Sequence, residues 1–120
     1  MIINLYTDGA CKGNPGPGGW GVVIFKNGQP ADEIYGGELN TTNNRMELLA
    51  VIHGLKSIKE ADTDTVRVIT DSMYVKNGIT SWIKKWMANG WKTAAKKDVA
   101  NKDLWLELQC IVETLSLIHI

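Results

Sequence analysis

The sequence predicts one α/β domain with a mixed five-stranded sheet, three antiparallel strands followed by parallel ones, and flanking helices. Three observations support this prediction. Short β-prone segments separated by turn residues fill the first third of the chain. The apolar pattern then changes to a helical period, and a β-branched run follows the helix. A strand, a helix and a strand in succession imply a parallel pair.

The antiparallel part consists of three predicted strands. Residues 2–8 are short and β-prone, and a glycine-rich run at residues 9–19 follows them as a turn. Residues 20–26 form the second strand. Asn27-Gly28 is a strong hairpin signal, because both positions tolerate a positive φ, and it leads into a third strand at residues 32–38.

A helix and a buried strand are predicted next. The helix begins at about Asn43, and its apolar stripe consists of Leu48, Val51, Ile52, Leu55 and Ile58. Residues 65–71 are a β-branched run that ends at Ser72, a good N-cap for a short helix to about Gly78. These elements supply the parallel pair.

Two further helices and a last strand complete the prediction. Thr80 is an N-cap candidate for a helix that stops near Gly90 and contains Trp82, Ile83 and Trp86. Asn101 or Asp103 caps a final helix, whose apolar stripe consists of Leu104, Leu108, Ile111, Val112 and Leu115. Residues 117–120 look like the start of the fifth strand.

Length and composition predict a single soluble globular domain. The chain has 120 residues, of which 44% are hydrophobic and 22% charged. No secretory segment precedes Asp8, and no stretch approaches the ~20 apolar residues of a membrane span, so we expect a cytoplasmic protein with no membrane partner. Cys11 and Cys110 lie far apart, which predicts free thiols.

Charge is concentrated although the formal net charge is zero. Six lysines occur between residues 82 and 102, against one acid, Asp98. A basic patch on a neutral protein is typical of a surface that binds nucleic acid.

Three acids stand where they can act together: Asp8 at the end of a strand, Glu47 in the first turn of a helix and Asp71 at the end of another strand. Singly, Asp8 can start a turn, Glu47 can form a capping box with Asn44, and Asp71 can help cap the next helix. Together they fit the crevice at the ends of parallel strands. Carboxylates within about 5 Å repel one another, so the cluster makes sense around cations, and oxygen ligands favour Mg²⁺ or Mn²⁺.

Motifs in this order resemble the type 1, bacterial-type ribonucleases H. They are YTDGACKGNPGPGGW at residues 6–20, TTNNRME at 41–47 and TDS at 70–72, with further similarity in YVKNGIT at 74–80 and GWKT at 90–93. The resemblance covers nearly the whole chain. It implies a ribonuclease H-like fold for one domain, residues 1–120, and an endonuclease that hydrolyses the RNA strand of RNA/DNA hybrids.

The resemblance also implies roles for individual residues. Asp8, Glu47 and Asp71 match three of the family's four metal-binding carboxylates, with Mg²⁺ as cofactor and Mn²⁺ as substitute, and the products carry a 5′-phosphate and a 3′-hydroxyl. Contacts to the hybrid are expected from Cys11, Asn14, Thr42, Asn43 and Asn44, and from the basic protrusion with Trp82, Lys84, Lys85, Trp86 and Lys92. For Trp82 and Trp86, packing within the protein is an equally good interpretation.

The resemblance breaks at the C-terminal end. Family members usually continue into a fifth strand, a loop with a histidine and a helix with a fourth aspartate, of which this chain holds at most the start of the strand. Three interpretations stay open: a hybrid nuclease of reduced activity, a hybrid-binding module without catalysis, and a fragment that a second chain must complement. An uncovered sheet edge predicts a homodimer through this region.

Overall fold

The structure, a computed structural model, describes residues 1–58, 65–114 and 118–119. Its strands are β1 (Ile2–Cys11), β2 (Gly16–Lys26), β3 (Gln29–Thr41), β4 (Thr65–Ile69) and β5 (Ile118–His119). Its α-helices are α1 (Asn43–Lys56), α2 (Met73–Asn77), α3 (Ile83–Asn89) and α4 (Lys102–Thr114). A π-helical turn, Gly78–Trp82, joins α2 to α3.

The five strands form one mixed sheet in the order β3-β2-β1-β4-β5. β1 pairs antiparallel with β2 and parallel with β4, and β2 pairs antiparallel with β3. The predicted arrangement of three antiparallel strands followed by parallel ones is therefore confirmed. β5 pairs parallel with β4, which confirms the start of a fifth strand. The rest of the predicted segment, residues 117 and 120, lies outside the described residues.

The first three strands are longer than predicted. β1 runs on to Cys11, and β2 already begins at Gly16, so the glycine-rich run is not one turn. Glycines favour turns locally, but here several pair across the sheet and lie against neighbouring atoms. A Cβ on Gly18 would come within 2.7 Å of the Thr41 side chain, so this strand segment needs glycine for packing.

The core lies between α1 and the face of the sheet that α1 covers. Alternate residues of the strands, such as Leu5, Val22 and Val68, are buried against it. The predicted stripe of α1 is buried from Leu48 to Leu55. The period-2 and period-3.6 patterns therefore meet on one interface, as the sequence indicates.

The start of α1 is as predicted, but its capping is not. Thr42 is the N-cap, and its Oγ1 accepts a hydrogen bond from the backbone N–H of Arg45 at 3.3 Å. Glu47 is the fifth residue of the helix, outside the first turn. The capping-box interpretation with Asn44 is therefore wrong, and the Glu47 carboxylate is not used in capping.

The helix predicted to stop near Gly78 continues. Ser72 is its N-cap as predicted, with Oγ accepting from the Val75 N–H at 3.3 Å. Gly78 is needed for packing, because a Cβ there would meet the Trp105 ring at 2.0 Å. The Thr80 hydroxyl donates to the Lys76 carbonyl, so Thr80 lies inside the helical run and caps nothing.

The ends of α3 and α4 follow the sequence more closely. Gly90 closes α3 with a φ of 76°, the left-handed conformation that glycine adopts readily. α4 begins directly after Asn101, whose carbonyl accepts from the N–H groups of Leu104 and Trp105. Leu115 of the predicted stripe lies outside the described residues. In the part of the chain that the structure describes, no helix is long and apolar enough to cross a membrane.

Candidate active site

Three carboxylates meet at one edge of the sheet. Ligand oxygens of Asp8, Glu47 and Asp71 all lie within 4.8 Å of one another. Asp8 is inside β1 rather than at its end, but the pairing of β1 with β4 stops at Tyr6, two residues earlier. Asp71 follows the last residue of β4 by two. Because β1 and β4 are parallel neighbours, the two aspartates reach the same edge.

Glu47 reaches this edge because α1 lies very close to β1. A Cβ on Gly9 would come within 2.5 Å of the Met46 carbonyl carbon and 2.6 Å of the Glu47 nitrogen, so only glycine fits there. The backbone N–H of Gly9 and the hydroxyl of the buried Thr70 lie near the Glu47 carboxyl, and both lower its pKa. The Glu47 oxygen Oε2 is buried and has no hydrogen-bond partner among the described residues.

The setting of Glu47 changes its protonation. Burial raises the pKa of the Glu47 carboxyl to about 7. The nearby N–H of Gly9 opposes this shift, and the negative charges of Asp8 and Asp71 add to it. A carboxyl whose pKa is raised by burial and by like charges becomes fully ionised when a cation binds beside it.

The donor set fits a divalent cation of the Mg²⁺ class. It consists of oxygen atoms alone, and one of them is buried without a hydrogen-bond donor. Buried polar atoms are normally paired, so an orphaned carboxylate oxygen beside two further carboxylates matches an ion-binding position.

The polar residues expected to contact a hybrid lie together beside α1. Cys11 Sγ donates to the Thr41 carbonyl at 3.2 Å and to the Gly16 carbonyl at 3.3 Å. Asn14 Oδ1 accepts from the N–H of Asn43 at 3.2 Å. These bonds tie the connection between β1 and β2 to the start of α1.

Two of these polar residues have exposed side-chain amides. The side chains of Asn43 and Asn44 are exposed in the first turn of α1. Thr42 differs, because its hydroxyl oxygen already caps the helix. A contact from Thr42 to a phosphate would therefore use the hydroxyl proton.

The predicted basic protrusion contains an aromatic cluster. Trp86 contacts Trp82, Trp91 and Trp105, with ring centroids 5.5–5.9 Å apart, and Tyr74 contacts Trp82 at 5.6 Å. Trp82 and Trp86 are partly buried, so they pack within the protein as one interpretation expects. Their contact with a hybrid is a separate matter and stays a prediction.

The lysines of the protrusion are in different electrostatic states. Lys84 and Lys85 are exposed on α3 and form no ion pair within the described ranges. Lys92 pairs with Asp98 at 2.5 Å, and Lys102 approaches the same carboxylate oxygen at 3.5 Å. The hydrogen bond from Lys92 lowers the pKa of Asp98. Asp98, the single acid of the basic stretch, thus already pairs with Lys92, which is one of the predicted phosphate contacts.

Three residues that shape the site are not among those predicted: Gly9, Arg45 and Thr70. Gly9 and Thr70 lie near the Glu47 carboxyl and lower its pKa. Arg45 pairs with Asp103. All three lie inside the motifs that resemble the family, but what they do depends on contacts between distant segments, which spacing alone does not reveal.

Comparisons with known proteins agree with this geometry. The family model of RNase H matches residues 2–120. Ribonuclease HI of Neisseria meningitidis serogroup A is 61% identical over 112 residues, which are 93% of this chain and 75% of that protein. Ribonuclease H of Marinobacter nauticus is 61% identical over 106 residues, 88% of this chain and 70% of that protein.

Solved structures show the same fold. LC9-RNase H1, a type 1 RNase H with the type 2 active-site motif, is 34% identical with a TM-score of 0.76, over 92% of this chain and 57% of that one. LC11-RNase H1 in complex with an RNA/DNA hybrid is 26% identical with a TM-score of 0.62, over 97% of this chain and 80% of that one. The predicted ribonuclease H-like fold is confirmed, and the chain belongs to the ribonuclease H family.

Proposed function

We propose that Asp8, Glu47 and Asp71 are the catalytic carboxylates with which this ribonuclease H hydrolyses the RNA strand of RNA/DNA hybrids. The observation that supports this most directly is their convergence: three acids from three separate elements lie within 4.8 Å. Like charges at this distance repel, so the fold holds them together for a positively charged partner.

The proposed cofactor is Mg²⁺, with Mn²⁺ as a substitute. Two bound divalent cations would supply an activated water and stabilisation of the leaving oxygen for in-line attack at phosphorus, giving 5′-phosphate and 3′-hydroxyl products. The protein's own part is to orient the ligands. The close approach of Gly9 to the backbone of Met46 and Glu47 positions Glu47, and its buried Oε2 is left for a cation.

The proposed partner is the RNA/DNA hybrid itself. Contacts to 2′-hydroxyls and base edges are assigned to Cys11, Asn14, Asn43 and Asn44, and phosphate contacts to Thr42 and the basic protrusion, with Trp82, Lys84, Lys85, Trp86 and Lys92. Support comes from the clustering of the polar residues beside α1 and from the hybrid bound to LC11-RNase H1.

The other interpretations are less well supported. A hybrid-binding module without catalysis would not need three clustered carboxylates, and the comparisons do not favour a fragment that a second chain must complement. A homodimer through the C-terminal region finds no support in the comparisons. Location in the cytoplasm remains a prediction.

A cleavage assay tests the proposal. A short RNA carrying a 5′ label is annealed to DNA, to RNA, or left single-stranded, and incubated with the full chain in Mg²⁺, Mn²⁺ or chelator. We expect cleavage of the hybrid but not of the other two substrates, and only when metal is present. The products should carry 3′-hydroxyl ends that a polymerase can extend. Binding of the hybrid without cleavage in either metal would instead favour the binding module. A rate that rises more steeply than the protein concentration would favour complementation by a second chain.

A further inference from the structure

Two ion pairs join α1 to α4, and they lie at different ends of α1. Arg45, in the first turn of α1, pairs with Asp103 in the first turn of α4. Lys56, the last residue of α1, pairs with Glu107. Arg45 and Lys56 are eleven residues apart, which is roughly 16 Å along the helix. The pairs thus connect the same helices in different surroundings.

The pair at the start of α1 has a directional geometry. Both terminal nitrogens of Arg45 donate to Asp103, at 3.1 and 3.0 Å, and one of them also donates to Asn101 Oδ1 at 3.3 Å. Asn101 in turn donates to the hydroxyl of Tyr74, which also accepts from Trp105 Nε1 at 3.0 Å. A bidentate guanidinium fixes orientation as well as distance. The first turn of α1 is therefore tied to a buried part of α4.

This first turn holds substrate contacts rather than the carboxylate cluster. Asn43 and Asn44 stand next to Arg45 in the chain, and their amides are exposed. Glu47 is positioned separately, by the close approach of its own backbone to Gly9 in β1. A change at Arg45 should therefore move the amides more than it moves the Glu47 carboxylate.

We infer that Arg45 and Asp103 are positioning residues for hybrid binding, which hold the amides of Asn43 and Asn44 in place for the minor groove. The inference rests on the proposed function. The Lys56–Glu107 pair lacks this role, because no proposed substrate contact lies beside it, and it serves as the matched control.

The experiment compares four proteins: the wild type, Asp103→Asn, Asp103→Glu and Glu107→Gln. For each, kcat and KM are measured on a labelled RNA/DNA hybrid, together with the Mg²⁺ concentration at half-maximal activity and the Tm. We expect Asp103→Asn to raise KM about three- to tenfold, while kcat and the Mg²⁺ midpoint stay within about twofold. Asp103→Glu should recover part of the affinity. Glu107→Gln should lower Tm slightly and leave KM unchanged.

Several results would overturn the inference. Equal KM values for Asp103→Asn and the wild type would show that the pair only joins the helices. Equal losses of affinity in Asp103→Asn and Glu107→Gln would show that helix docking in general is responsible. If Asp103→Asn does not fold, Arg45→Lys carries the same comparison, because it keeps the charge and removes the bidentate fork.

Failure of the proposed function is recognised separately. It appears as a wild-type protein that binds the hybrid and does not cleave it. The comparison is then made on Kd, measured by fluorescence anisotropy with the labelled hybrid. Weaker binding by Asp103→Asn than by Glu107→Gln supports the positioning role, and equal binding contradicts it.

Discussion

Acidic side chains occur in two opposite settings in this molecule. At the sheet edge, Asp8, Glu47 and Asp71 gather with one another, and the pKa of Glu47 rises to about 7. At the lysine-rich end, Asp98 pairs with Lys92, and Asp103 pairs with Arg45. Hydrogen bonds from these cations lower the pKa of both aspartates.

The difference shows which part of the protein needs a partner from outside. The second set of acids is neutralised by the protein's own cations. The first set has no ion-pair partner among the described residues, and Glu47 is held in it by packing against Gly9, so protonation of Glu47 or an added cation must relieve the repulsion. Changes in the first set should therefore act on catalysis, and changes in the second set on affinity and stability.

The largest effect is expected from Asp71→Asn. The amide keeps the volume of the side chain but removes one anionic ligand, so cleavage should fall below about 1% of the wild-type rate while hybrid binding persists. In chelator the variant should melt about 1–3 °C higher, because one repulsive charge is gone. Cleavage assays and thermal melts check both. Asp98→Asn is the matched control in the cation-paired set, and it should cleave at the wild-type rate when hybrid is saturating. If Asp71→Asn also cleaves at the wild-type rate, Asp71 is not part of the catalytic site.

A smaller but still severe effect is expected from Gly9→Ala. The added methyl group would meet the backbone of Met46 at 2.5 Å, so α1 must shift away from β1 and take Glu47 with it. We expect the free energy of unfolding to fall by about 1–3 kcal/mol and kcat/KM to fall more than about tenfold. Gly21→Ala is the control, since its nearest neighbour is the Ile34 carbonyl oxygen at 4.0 Å. Similar losses in both variants would show that strand propensity, not the close approach, is responsible.

The carboxylate cluster could be predicted from the sequence because its logic is topological. Two strands in parallel bring Asp8 and Asp71 to one edge, whatever the details of packing. The position of Glu47 in α1 was less predictable. Asn44 fits a capping box with it, but Thr42 lies one residue before the helix and its hydroxyl is the group that caps.

The elements that differ from the sequence-based prediction are those that depend on packing between distant segments. Gly78 is a helix terminator by propensity, yet the ring of Trp105 occupies the space where a Cβ would lie, and the helix continues through it. The glycine-rich run is a second example, because local propensity predicts a turn there, whereas β1 extends to Cys11 and β2 begins at Gly16. Local propensity cannot report a neighbour that is distant in the chain.

A graded effect is expected from the lysines of the protrusion. Lys84 has no ion pair among the described residues, whereas Lys92 is paired with Asp98. Removing a lysine that contacts a phosphate lowers the slope of log Kd against log salt by about 1. We expect Lys84→Ala to reduce this slope by more than Lys92→Ala does, because Asp98 already offsets the charge of Lys92. Titrations with labelled hybrid at several salt concentrations measure both slopes, and a larger loss in Lys92→Ala would mean that the hybrid displaces Asp98.

The smallest effect concerns pH and the stability of the metal-free protein. The folded pKa of Glu47, about 7, lies above the unfolded value of about 4.3, so the folded state holds the proton more tightly. The stabilisation from the protonated carboxyl is thus full below pH 4.3 and is lost as the pH rises through 7. In chelator, Tm should fall by about 2–4 °C over this window, a modest change because Glu47 is only partly buried.

The Glu47→Gln variant isolates this contribution, because glutamine does not titrate. Its Tm should fall less than that of the wild type between pH 5 and pH 8.5 (about 2–4 °C less by the linkage above), and Mg²⁺ should reduce the wild-type fall. Asp103 acts with the opposite sign, since Arg45 lowers its folded pKa: its stabilisation is present above the unfolded pKa and is lost as the pH falls below about 4. The two windows do not overlap, so differential scanning calorimetry across the whole range separates them. An identical decline in Glu47→Gln and the wild type would assign the alkaline loss to groups outside the carboxylate cluster.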